Sequence, residues 1–416
     1  MVYIPFIYFT LMLVWCWHKY HTIGIGFVSI AWVDISSLFA IVIDARGLYG
    51  TMGVNDYAIT PIATFIYCFL WTIALLPIAK LDDPDFSLSV RKSQLFTLLC
   101  LFICLMVGIQ LVFGDFVELL QNGLKLSGAE NYDLAKEAEQ NYQGRGKYWL
   151  WIPTIVSNGF PLILLCWFIS LTICPQRKWV TLALILLSTT KMIIGLLSGG
   201  RAQIIWWMIT FLMLFAFFRR FMSNHHRVLI RNIFIALGSL ALVGFLSITF
   251  SRFDDSTDYA IDSLVGYAGQ TFNNFCAFLP YSEIYQFRFE RTFPLLNLLT
   301  HHHHVGLLEY YDMLENEFPI YMSVFFPFFG SAIIDLGWIG ISIIYVLYLM
   351  CYRYLVLPDR GTNIIDFSSL VIMAVLTGFI SQGLFHYPFA YHENTAYAIF
   401  SLLLYFIFKY NYKVRS

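Results

Sequence analysis

TPIATFIYCFLWTIALLPIA, residues 60–79, runs for a full membrane thickness without one charged side chain. At 1.5 Å per residue, about 20 apolar residues cross the hydrocarbon core, so this stretch is long enough to span as a helix. Similar stretches fill most of the chain. Of 416 residues 59% are hydrophobic and only 12% are charged, with a mean hydropathy of +0.69. A soluble domain carries roughly twice that charged fraction. The expected fold class is therefore all-α: a polytopic membrane protein in which residues 1–416 form a single membrane domain with inserted loops.

Working outward from residues 57–79, further spans are expected near 3–17, 25–44, 95–114, 150–173, 178–196, 203–218, 230–250, 330–351, 365–386 and 394–409, about eleven in all. The first lacks a basic leader and a small-residue cleavage site, so it is expected to be retained. Lys and Arg collect in alternate connections: Lys80, Arg91 and Lys92; Arg177 and Lys178; Arg219, Arg220, Arg227 and Arg231; Arg353 and Arg360; Lys409, Lys413 and Arg415. Basic loops stay on the cytoplasmic side, which predicts the N-terminus outside, the C-terminus inside, and two large external loops at roughly 115–149 and 251–329. SLVGYAGQTFNNFCAFLPY, within the second loop, mixes aromatic, Gly and apolar residues. That composition suits a segment folding back toward the bilayer, where irregular backbone needs protein or a water-filled chamber to satisfy it.

A net charge of −1 gives no basic face for nucleic acid. Cys16, Cys68, Cys100, Cys104 and Cys166 lie inside apolar runs, where a thiol packs as a small hydrophobe. Neither a zinc-type cysteine pair nor a phosphate loop, serine elbow or dinucleotide fingerprint appears. No metal and no cofactor are expected. Asp82, Asp83 and Asp85 have a DxD-like spacing, but the topology puts them on the cytoplasmic side, away from any external chamber.

Charges within spans are costly and call for a reason. Lys191, in TTKMIIGLLSGGRAQ, lies on a helix about 15 Å deeper than Arg201, which follows paired glycines in an external turn. A guanidinium there suits a phosphate or diphosphate. The bland alternatives are an interfacial anchor for Arg201 and a carboxylate partner such as Asp34 for Lys191. Arg252, Arg288 and Arg291 are further candidates for an anionic ligand, with Arg145 and Lys147 beside the other loop. His301, His302, His303 and His304 point about 100° apart if helical, which disfavours one shared metal; as groups titrating near neutrality they suit proton transfer or diphosphate binding. The acidic cluster Glu309, Asp312, Glu315 and Glu317 offers a carboxylate base for a hydroxyl group, although solvated loop charge explains most of its members. His386, His392 and Glu393 occupy a short outward turn, where capping explains them.

ENEFPIYMSVFFPFFGSAIIDLGWIGISIIYVLY, Glu315 to Tyr348, resembles a feature of the bacterial oligosaccharide repeat-unit polymerases, the Wzy family. The matching positions are Asn316, Asp335, Leu336, Gly337 and Gly340, and LLSGGRAQ is similar to the family's Gly-Arg turn. The resemblance implies an inner-membrane enzyme that joins an undecaprenyl-diphosphate-linked glycan donor to a lipid-linked acceptor unit. Partners would be membrane lipid, a chain-length regulator and a flippase, with no nucleic acid. For that reaction the residues themselves offer Arg201, Lys191, Arg252, Arg288 and Arg291 as candidate diphosphate ligands, and the histidines with Glu315 and Glu317 as the candidate acid–base group. The histidine run departs from the family pattern. An O-antigen ligase shares the donor and architecture, and a lipid-linked oligosaccharide flippase is the alternative outside the enzymes.

Overall fold

The computed structural model describes residues 1–48, 58–114, 148–197, 202–251, 257–283, 292–293, 326–358, 362–390 and 392–410. Its helices in chain order are α1 (Tyr3–Tyr20), α2 (Ile25–Arg46), α3 (Pro61–Ala79), α4 (Ser93–Phe113), α5 (Trp151–Asn158), α6 (Phe160–Thr172), α7 (Lys178–Ser188), α8 (Thr190–Leu197), α9 (Ala202–Phe218), α10 (Asn224–Ser251), α11 (Thr257–Phe278), α12 (Phe328–Cys351), α13 (Phe367–Gly383) and α14 (His392–Tyr410). Two three-residue strands, β1 (Ser87–Ser89) and β2 (Ile364–Asp366), pair in parallel. This is an all-α polytopic membrane protein. Among the described residues seven helical spans are long and apolar enough to cross a bilayer, and eight when the bent pair α5–α6 is counted as one. The other three expected segments form α1, α13 and α14, which fall short of the same length or hydropathy.

One expectation needs correction. The stretch 150–173 reads as one span but is two helices bent by 64°. Pro161 has no N–H to return to the preceding turn and Gly159 has left helical geometry at ψ 34, so the ladder breaks there. Within the stretch expected to be external and to fold back toward the bilayer, residues 257–278 form the 22-residue helix α11. From Gly269 to Phe278 every residue is buried.

The chain packs as two compact units. The first comprises Met1–Phe86, Ile261–Gly361 and Leu376–Thr395; the second comprises Ser87–Ala260, Thr362–Val375 and Ala396–Ser416. In the first unit α1, α2 and α3 pack on one another and α12 packs on α3. Tyr345 and Tyr348 donate their hydroxyls to the Leu70 and Ala74 carbonyls of α3 at 2.9 and 2.6 Å. Tyr67 lies edge-on to Phe272 and Phe329, and Trp71 edge-on to Phe328 and Phe329, in an aromatic core.

Asp82 settles the start of α2. Its carboxylate, only 1% exposed, accepts from the Gly26 and Phe27 backbone N–H groups at 2.9 Å each. These are first-turn donors that the helix itself cannot satisfy, and the negative charge also suits the positive helix end. Thr22 donates to the Asp82 carbonyl. A Cβ on Gly24 would sit 2.1 Å from Asp82 Oδ1 and one on Gly26 2.3 Å from Ala79 Cα, so the approach requires glycine at both positions. The DxD-like cluster thus begins with a structural cap.

In the second unit α4 packs against α5 and α7, and α6 against α7 and α9. All of α6 from Phe160 to Ser170 is buried. Phe168 stacks on Phe218 with centroids 5.4 Å apart. Arg91 pairs with Asp366 beside the short strands at 3.1 Å.

Candidate functional site

Lys191 is the charged candidate within a span whose surroundings are defined. Its helix is interrupted just before it. Ser188 and Thr189 turn their hydroxyls back onto the Ile185 and Leu186 carbonyls at 2.7 and 2.6 Å, a pattern that competes with the backbone ladder and bends helices. The chain divides into α7 and α8 at Thr189. Trp207 of α9 donates to Ser188 at 3.3 Å and holds this joint.

Lys191 therefore stands in the first turn of α8, where backbone N–H groups already carry positive partial charge. Its ammonium donates to Asn158 Oδ1 at 2.5 Å. Asn158 is the last residue of α5, directly before the 64° bend. Two helix breaks thus meet at one half-buried cation. An ammonium in this position adds to the positive end that the backbone N–H groups already form, the setting in which anions bind. Asp34, the carboxylate considered as its partner, accepts instead from Thr10 at 3.2 and 3.3 Å.

Asp335 and Gly337 mark a second break, in the first unit. Gly337 lies inside α12 with φ 65 and ψ −173, a combination open to glycine alone. The helix kinks there and brings Leu336 over Gly340, where a Cβ would lie 2.1 Å from that of Leu336. The sequence DLGWIG is thus the local code for a broken helix. Asp335, 2% exposed, accepts from both the backbone N–H and the hydroxyl of Thr292 at 2.7 Å each. Two donors on one oxygen stabilise a buried carboxylate. Burial first, and the nearby Asp335 carboxylate second, push the Tyr387 phenol above its ordinary pKa, which keeps it a hydrogen-bond donor.

Thr292 follows Arg291 in the chain. Arg201, Arg252, Arg288, Arg291, His301, His302, His303, His304, Glu315, Asn316 and Glu317 lie outside the described residues. Of the remaining candidates, Lys191 belongs to the second unit and Asp335 and Gly337 to the first. In the turn 386–395, His392 pairs with Glu393 at 3.3 Å, while Asn394 and Thr395 donate to the Pro388 and Phe389 carbonyls, so capping accounts for that segment. Sequence reasoning missed Asn158 and Thr292. NGFP, a glycine and proline directly after an amide, was the available signal for the first. RTFP carried none for the second.

What fold and site define together is a multi-pass helical membrane protein with helix breaks that carry ionisable side chains. No protein-family model matches the chain, and no curated protein or solved structure is significantly similar to it.

Proposed function

We propose that this chain is a polyprenyl-diphosphate-dependent glycan polymerase of the bacterial cytoplasmic membrane, with its N-terminus outside and its C-terminus inside. The observation that carries the reading is the Lys191–Asn158 pair at two helix breaks, a cation held within a membrane bundle by a neutral amide. Its place in the first turn of α8 adds positive charge to a helix N-terminus, the setting in which anions bind. The resemblance of Asp335, Gly337 and the Gly-Arg turn supplies the substrate class.

In the reaction, an acceptor sugar hydroxyl attacks the anomeric carbon of the donor glycan and forms the new C–O bond. The anomeric bond to undecaprenyl diphosphate breaks, and the diphosphate leaves with the bonding electrons. The hydroxyl proton passes to a base, for which His301–His304, Glu315 and Glu317 are the proposed groups. Lys191 and Arg201, with Arg252, Arg288 and Arg291, stabilise the charge that gathers on the leaving diphosphate.

Broken spans favour one other reading. Discontinuous helices with polar side chains at the break form the substrate sites of many transporters, so a carrier of lipid-linked glycans is the second reading. Deleting the gene in the source bacterium and resolving its surface polysaccharide on a gel separates the two. Loss of long chains with single repeat units still present supports polymerisation. Loss of single units as well, with lipid-linked material accumulating inside the envelope, replaces it with transport or with ligation.

A further inference from the structure

Helix α11 has a polar strip where the interior of a membrane bundle calls for apolar packing. Gln270, Asn273 and Asn274 are at most 8% exposed. Asn273, at 1%, has no hydrogen-bond partner among the described residues for either its amide nitrogen or its amide oxygen. Leaving one such group unmet costs on the order of 1–3 kcal/mol, so an idle donor and an idle acceptor on one side chain require an explanation.

The register of α11 on α2 shows what lies opposite. Arg46 pairs with Asp262 at 2.8 Å. Val265 packs with Ile43, and a Cβ on Gly269 would lie 2.4 Å from the Phe39 backbone. The helices are therefore antiparallel, and one turn further on Asn273 comes level with Ser36. The Ser36 hydroxyl is also buried and unpartnered among the described residues. One more turn along α2, the Trp32 indole N–H donates to the Ser381 carbonyl at 3.3 Å, which brings the end of α13 to within about a turn of that level. There Gln382, 7% exposed, has an amide oxygen with no partner among the described residues. Within the first unit, α2, α11 and the end of α13 thus hold idle, uncharged polar atoms within about a turn of one another.

We infer that this level is a binding site for a neutral sugar residue, reached by the lipid-linked glycan of the proposed reaction; the inference rests on that reading. Chemistry selects the ligand. An anion would meet the idle oxygens of Asn273 and Gln382, and a metal ion would find no carboxylate in the set. A group that both donates and accepts, such as a sugar hydroxyl or acetamido group, satisfies both halves of the Asn273 amide. From Gln270 to Asn274 the strip extends about 6 Å along the helix, which is the length of a pyranose ring and longer than a single water.

The test is thermal unfolding of the purified protein in lipid nanodiscs with a panel of free monosaccharides: glucose, galactose, N-acetylglucosamine and N-acetylgalactosamine. At least one should raise the wild-type melting temperature by about 2 °C. Asn273→Leu should melt no lower than wild type without sugar, because an unmet polar group has been removed, and should lose the sugar response. If Asn273→Leu does not fold, Ser36→Ala carries the test and should diminish the response. A wild type indifferent to all four sugars, or an Asn273→Leu protein that responds as wild type does, overturns the inference and leaves buried water as the partner of Asn273. The two readings fail separately. Full polymer from Asn273→Leu cells, with none from Arg201→Ala cells, defeats the sugar site alone. A sugar response abolished by Asn273→Leu, in a strain whose gene deletion also removes single repeat units, defeats the polymerase and leaves the sugar site.

Discussion

The two helix breaks that carry ionisable residues are built in opposite ways. At Gly159 the chain breaks because Pro161 withdraws a donor, and the side chain just before the break, Asn158, accepts from a cation on a neighbouring helix, Lys191. At Gly337 the helix continues through a glycine-only conformation, and the anion, Asp335, belongs to the broken helix and binds Thr292. In the first case the cation donates to a neutral amide on the neighbouring helix. In the second the carboxylate oxygen is saturated by two short hydrogen bonds, which makes Asp335 an anchor for the chain at Thr292. On the proposed function, the first break serves a ligand and the second holds structure.

Substitutions at the four positions can break this contrast. Lys191→Ala should lower polymer output by about 10²-fold or more at unchanged protein level; wild-type chain lengths on a gel would return Lys191 to an architectural role. Asp335→Leu leaves the Thr292 N–H and hydroxyl buried and unpaired, at a cost of about 3 kcal/mol. It should therefore lower the melting temperature and the steady-state level together, whereas normal stability with lost polymer would move Asp335 into the reacting site. Gly337→Ala, forced into a region that only glycine occupies freely, should cost about 2 kcal/mol, read as a lower midpoint in thermal unfolding. Asn158→Ala has the smallest expected effect: a loss of activity of about tenfold with little change in melting, since Lys191 keeps its charge but loses one neutral orienting partner. Equal losses from Asn158→Ala and Lys191→Ala would show the pair acting as a unit, which a double substitution would verify.

Most of the membrane architecture was legible because hydropathy integrates over about 20 residues, and stretches such as 60–79 and 95–114 contain nothing to dilute it. The breaks were not legible for the same reason. An apolar window passes smoothly over NGFP and over STTK, although each contains the residues that end a helix. Helix α11 fell within a stretch read as an external segment folding back toward the bilayer; Gln270, Asn273 and Asn274 lower any hydropathy average there, while in the fold they are buried. Lys191 stood out as a charge in an apolar run. Its partner did not, since Asn158 is 33 residues away and becomes a neighbour only through packing. For Asp335 the pattern DLGWIG marked the place, while the grip on Thr292 depended on tertiary structure.

The cap that Asp82 places on α2 also bears on how the protein is made. The first-turn donors Gly26 and Phe27 emerge from the ribosome well before the carboxylate that satisfies them, which follows 56 residues after Gly26. Until α3 has been delivered, the start of α2 must borrow hydrogen bonds from water or lipid headgroups. Helices α1, α2 and α3 therefore become a self-sufficient packet only once residue 82 has been synthesised, and a nascent chain arrested short of it should leave the start of α2 open to protease.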